Sequence, residues 1–158
     1  MVYATLKTLH VLAIVVWIGG MVFAHFFLRP ALAQLEPLVR LRLMHDVLGR
    51  FFKAVLVASL VTLVSGVWML GRVAKQVVQS GGSFEMPLAW TVMALGGVAM
   101  VAIFMHIRFA LYKRLSRAVT ASDCGAGAAA LNQIRLWVSV NLYLGLAVLV
   151  ITLMRWTG

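Results

Sequence analysis

Residues 9–28 read Leu-His-Val-Leu-Ala-Ile-Val-Val-Trp-Ile-Gly-Gly-Met-Val-Phe-Ala-His-Phe-Phe-Leu and are followed by Arg29-Pro30. Spanning roughly 30 Å of hydrocarbon takes about 20 helical residues, which is the length of this run. Three more stretches meet the same requirement: residues 54–70, 88–107 and 134–154. The spans are therefore expected over about 5–29, 52–72, 87–109 and 132–155, in a single transmembrane domain covering 1–158. The expected fold is all-α, an integral membrane four-helix bundle running up-down-up-down.

Composition agrees. Of the 158 residues, 63% are apolar and 11% charged, with a mean hydropathy of +1.01, whereas soluble domains carry about 45–50% apolar and about 25% charged residues. An ordinary soluble enzyme is excluded. The first apolar run has neither the basic start nor the cleavage site of a signal peptide, so it is expected to stay as a span. The single cysteine, Cys124, forms no CxxC or CxxCH pattern for a metal, redox or covalent haem site.

A net charge of +10 in a soluble chain would suggest nucleic acid. Here the cations border apolar runs, which points to membrane lipid and excludes nucleic acid as the partner. Arg29, Arg40, Arg42, Arg50, Lys53, Arg108, Lys113, Arg114, Arg117 and Arg135 fall at one end of the spans, and Lys7, Arg72, Lys75 and Arg155 at the other. The positive-inside rule then places the first group in the cytoplasm and both termini outside, in a multi-pass protein of a bacterial-type inner membrane. Tyr3, Trp68, Trp90 and Trp156 fall at the opposite rim, as an interfacial belt requires. Gly19-Gly20, Gly96-Gly97 and the Ser59, Thr62, Gly66 face read as close-packing surfaces, which serve equally to close one bundle or to join two copies. Residues 38–53 are helix-patterned and read either as an extension of the second helix or as a surface helix in the headgroups.

Ionisable residues inside a bilayer are costly and call for a partner or a role. His10, Trp17 and Met21 share one face of the first helix, with His25 about 60° away. His10 and His25 lie about 22 Å apart along the axis, so they belong to different sites. His25 precedes Arg29 by four residues and His106 precedes Arg108 by two, which puts both imidazoles at one inner level of parallel helices. That pairing is expected to ligate a b-type haem, with Arg29 and Arg108 as propionate contacts and Asn141 orienting an imidazole. His10 has no histidine at its own level. A copper site there would draw on methionine, with Met69, Met86 and Met154 at suitable depth and Met86, Met93 and Met100 repeating every seven residues. Core packing accounts for such a stripe as well.

The order His10, Trp17, Gly19-Gly20, Arg29-Pro30 resembles the opening helix of CopD-like membrane proteins, and the same spacing is similar to HemJ, a haem-containing four-helix protoporphyrinogen oxidase. "RLMHDVLGRFF", "LVSGVWML" and Trp90 followed sixteen residues later by His106 extend the resemblance over most of the chain. Two polar positions of the HemJ-like pattern are apolar here, at Ala94 and Leu142. The resemblance implies haem association for His10 and His106, so family spacing pairs His106 with His10 where bundle depth pairs it with His25. It implies either a porphyrin- or haem-related redox role, with a quinone, porphyrin or other redox partner, or copper handling. Any enzymatic activity would be that of a haem-dependent membrane oxidoreductase. A structural subunit without cofactor, within a homo-oligomer, is the remaining reading.

Overall fold

The computed structural model describes residues 1–154; Arg155 and Trp156 lie outside the described residues. It contains four helices long and apolar enough to cross a membrane: α1 (Val2–Ala31), α2 (Pro37–Gln79), α3 (Leu88–Thr120) and α4 (Cys124–Met154). The described residues contain no strand. Without water in hydrocarbon, a backbone must satisfy its own N–H and C=O groups, and a helix does so within one segment. Successive antiparallel helices put Val2 and Met154 at the same end of the bundle.

Local chemistry sets the helix limits. Pro37 opens α2 at the first helical position, where its missing N–H costs nothing. At the far end, Gly82 N–H donates to Val77 O and Gly81 N–H to Val78 O, with Gly81 at φ +83°. This is a Schellman stop, and its left-handed residue favours glycine. Between α3 and α4 the same pattern is made by Asp123 N–H to Ala118 O and Ser122 N–H to Val119 O. The Asp123 carboxylate then accepts the Ala126 N–H at 2.9 Å and caps α4. One short turn thus ends one helix and starts the next.

At 43 residues, α2 is about 64 Å long, twice the hydrocarbon thickness. Residues 38–53 therefore continue the second span as one helix, which settles the two readings left open by the sequence. They have a core to pack against. Leu41, Met44 and Leu48 are buried together with Leu111 and Leu115 of α3 and Ala130 and Ile134 of α4. The basic end of the bundle is thus a packed helical extension rather than a set of loops.

Inside the bundle, rings form a chain: Trp17 meets Phe104 edge-on at 6.0 Å, Phe104 meets Phe52 at 6.1 Å, Phe52 meets Tyr112 at 5.5 Å, and Tyr112 stacks on His45 at 5.0 Å. Two parallel helices, α1 and α3, each carry a π-helical turn, at Phe23–Leu28 and Ile107–Leu111. The sequence Arg-x-Ala-Leu recurs there, as Arg29-Pro30-Ala31-Leu32 and Arg108-Phe109-Ala110-Leu111.

Of the glycine pairs, single members do the packing. A side chain added at Gly20 would fall on the Phe51 ring of α2, while Gly19 meets nothing within 4 Å. Apolar helices gain no hydrophobic drive from association in lipid, so such close approaches matter to bundle stability. Gly20→Val is expected to destabilise the bundle by about 1–3 kcal/mol through overpacking. Gly19→Val is expected to leave thermal unfolding in detergent unchanged, and equal losses from both substitutions would refute this packing assignment.

Candidate functional site

Three of the four histidines are held by a serine hydroxyl on a neighbouring helix. His10 Nδ1 lies 2.9 Å from Ser65 Oγ, His25 Nδ1 lies 3.2 Å from Ser139 Oγ, and His45 Nε2 lies 2.9 Å from Ser116 Oγ. Each hydroxyl has one proton to give. Ser65 donates its proton to a carbonyl of its own helix, Val61 O or Thr62 O. Its oxygen is then set to accept from His10, which favours the Nδ1–H tautomer, with the ring's lone pair on Nε2. The ring is buried, and Gly66 of α2 makes room for it: a Cβ there would sit 3.4 Å from His10 Cε1.

Ser139 repeats the device by donating to Arg135 O at 2.9 Å, so neutral His25 also carries its proton on Nδ1. Around His45 the contacts are richer. Nδ1 lies 3.3 Å from an Asp46 oxygen, and Tyr112, stacked on the ring, donates to the His45 carbonyl at 3.2 Å. Arg108 lies 5.2 Å from the Tyr112 ring centre and 5.6 Å from that of Phe109.

The expected haem pair is not assembled. His25 reaches Ser139, whereas His106 packs edge-on against Trp137 at 5.3 Å. Two residues of α4 separate these contacts, so the depths agree to within about 3 Å but the directions differ by about 200° around the helix. His25 and His106 therefore meet opposite flanks of α4 rather than each other, and His106 is exposed. Family spacing fares no better, since His10 is turned to α2. Arg29 donates to Leu131 O at 3.0 Å, and Arg108 is spent on aromatic rings, so neither frames a common slot. Asn141 is 1% exposed, makes no contact with an imidazole, and its Oδ1 has no partner among the described residues.

Methionines are arranged differently from the sequence expectation. Met86 is exposed and precedes α3, outside its helical repeat, while along α3 Met93 is half-buried and Met100 is buried. Seven-residue spacing keeps Met93 and Met100 on one face about 10 Å apart. Ile18 and Met100 approach the same Gly145 position, which puts Met93 at about the depth of His10, on a helix that lies diagonal to α1 in the bundle. Met69 of α2 stands one turn beyond Ser65 on the same face and is half-buried. Among the described residues no group of three or more His, Cys, Asp or Glu side chains is placed to hold a metal.

With this geometry established, comparison decides the family. The family model described as Copper resistance protein D, CopD, matches residues 45–155, more than two thirds of the chain. The chain belongs to the CopD family. No curated protein and no solved structure matches it. The match covers α2 to α4 and leaves α1, with His10 and His25, outside it. It supports the CopD half of the sequence resemblance and does not extend to a HemJ-like oxidase.

The serine partners were the missed signal. Ser65 lies on the helix face already read as a packing surface, and an inward serine opposite an inward histidine at one depth is a detectable pattern. Nitrogen-15 shifts of labelled histidine in bilayers are expected to show the His10 Nε2 unprotonated near neutral pH. Ser65→Ala is expected to release that tautomer preference, and a protonated Nε2 in the native chain would overturn the assignment.

Proposed function

We propose that this CopD-family protein handles copper within a bacterial inner membrane, with both termini on the outer side, taking Cu(I) as its cargo at His10. Membership of the family described as Copper resistance protein D supports a copper role. The observation that carries the site is the His10 imidazole, buried in the bundle with Nδ1 2.9 Å from a Ser65 oxygen whose own proton goes to a backbone carbonyl. Imidazole and thioether ligands suit Cu(I), and Met69 and Met93 flank the His10 level.

Each residue has a task in this reading. Ser65 holds the imidazole in the ligating tautomer, as second partners of metal-binding histidines do. Gly66 provides the space for the ring. Met86, exposed at the rim, is the first thioether a copper ion meets, and Met93 and Met100 continue the stripe inward. Thioethers carry no charge, so they can bind a soft cation at low dielectric without a buried carboxylate.

The test is copper retention by the purified chain in competition with a Cu(I) chelator, alongside its visible spectrum. The expected result is copper without porphyrin. His10→Ala is expected to abolish competitive binding, Ser65→Ala to weaken it by about tenfold or more, and Met93→Leu to weaken it without loss of the fold. Unaltered copper affinity in His10→Ala would overturn the assignment of this site, and a reducible Soret band from the native chain would favour haem instead.

A further inference from the structure

At the basic end, α1 and α4 bring two guanidinium groups together with no carboxylate between them. Arg29 donates through Nη2 to the Leu131 carbonyl at 3.0 Å, and Arg135 follows Leu131 by one turn on the same face of α4. His25, one turn before Arg29 on α1, is held to Ser139, one turn beyond Arg135 on α4. Leu131, Arg135 and Ser139 are spaced by four residues and share one face of α4. Like charges brought this close destabilise each other unless an anion lies among them.

The protein supplies none. The chain has four acidic residues, and among the described residues the ion pair that any of them makes is His45–Asp46. Arg29 closes the apolar run of α1 and Arg135 opens that of α4, so both stand at the border between hydrocarbon and headgroup. Directly on the hydrocarbon side, Phe23, Phe26, Phe27 and Leu136 are exposed, an apolar wall suited to acyl chains. A guanidinium pair above an apolar wall matches an amphiphile with an anionic head.

We infer that the α1–α4 seam binds the phosphate of an anionic phospholipid between Arg29 and Arg135, with the acyl chains along the exposed phenylalanines of α1. Guanidinium groups recognise phosphate oxygens through paired N–H donors. After the bond to Leu131, Arg29 keeps further donors for this purpose. The remaining cations of the same end attract anionic lipid to the surface in general, while the seam selects a position for it. This site is separate from His10 and independent of the copper proposal.

The experiment is native mass spectrometry of the full chain released from bilayers containing phosphatidylcholine and phosphatidylglycerol. The expected result is one retained phosphatidylglycerol, favoured over phosphatidylcholine by about tenfold or more. Arg135→Gln, which leaves the Arg29–Leu131 bond in place, is expected to reduce the preference to near parity. Lys113→Gln, an exposed cation of α3, is expected to leave it unchanged. Retention unaffected by Arg135→Gln, or an equal loss from Lys113→Gln, would overturn the seam assignment. Displacement of the lipid by millimolar inorganic phosphate would show a free-anion site instead and overturn the lipid proposal.

Discussion

A helix in hydrocarbon satisfies its own backbone and leaves every polar side chain to find a partner on another helix. That constraint organises this protein more than any single contact. His10, His25 and His45 each sit opposite a serine of a different helix. Ser65 and Ser139 in turn give their protons to the carbonyl four residues back, or its neighbour. Interhelical hydrogen bonds of this kind average about 0.6 kcal/mol in membranes. Their weight here lies in direction: a serine whose proton is already committed can only accept, so it dictates which imidazole nitrogen stays available. A minor stabilising contact thereby defines the chemistry of a buried ring.

The two ends of the bundle are built on different rules. Toward the aromatic rim, close approach of α1 and α2 accommodates His10 against a glycine, and the sulfur atoms of α3 become progressively less exposed along the helix. Toward the basic rim, the extensions of α2, α3 and α4 make a packed core with the ordinary leucines and alanines of a soluble bundle. A line of rings from Trp17 to His45 joins these regions. Aromatic stacking suits this position, since large faces fill space between helices while the Tyr112 hydroxyl and the His45 nitrogens meet polar groups at the border.

Span number was legible from apolar run length, because hydrocarbon thickness acts on sequence directly, whereas helical periodicity left residues 38–53 open between an extension of the second helix and a surface helix. The equal depth of His25 and His106 was also legible, from their distances to Arg29 and Arg108. Their facing was not. Depth along a helix comes from counting residues, whereas direction around it depends on how each pair of helices is rotated, and π-helical turns beside both histidines change that rotation. Asn141 illustrates the same limit. Its depth on the fourth helix was readable from residue counting, but serines rather than the asparagine bond to the imidazoles. Met86 shows a further limit: the seven-residue repeat of methionines runs past the start of α3, and residue counting alone does not tell where the helix begins.

The paired π-helical turns of α1 and α3 carry a consequence for how such a sequence can be read. Arg29 N–H reaches back five residues to Ala24 O, so each of these helices contains one residue more than regular winding allows. That surplus is a phase slip of about 100° between the apolar segment and the basic-end turns beyond it. The interior around Trp17 and Phe104 is thus set at a fixed rotational offset from the turns that follow each π-helical stretch, so the face a side chain presents cannot be counted across it by a 3.6-residue repeat.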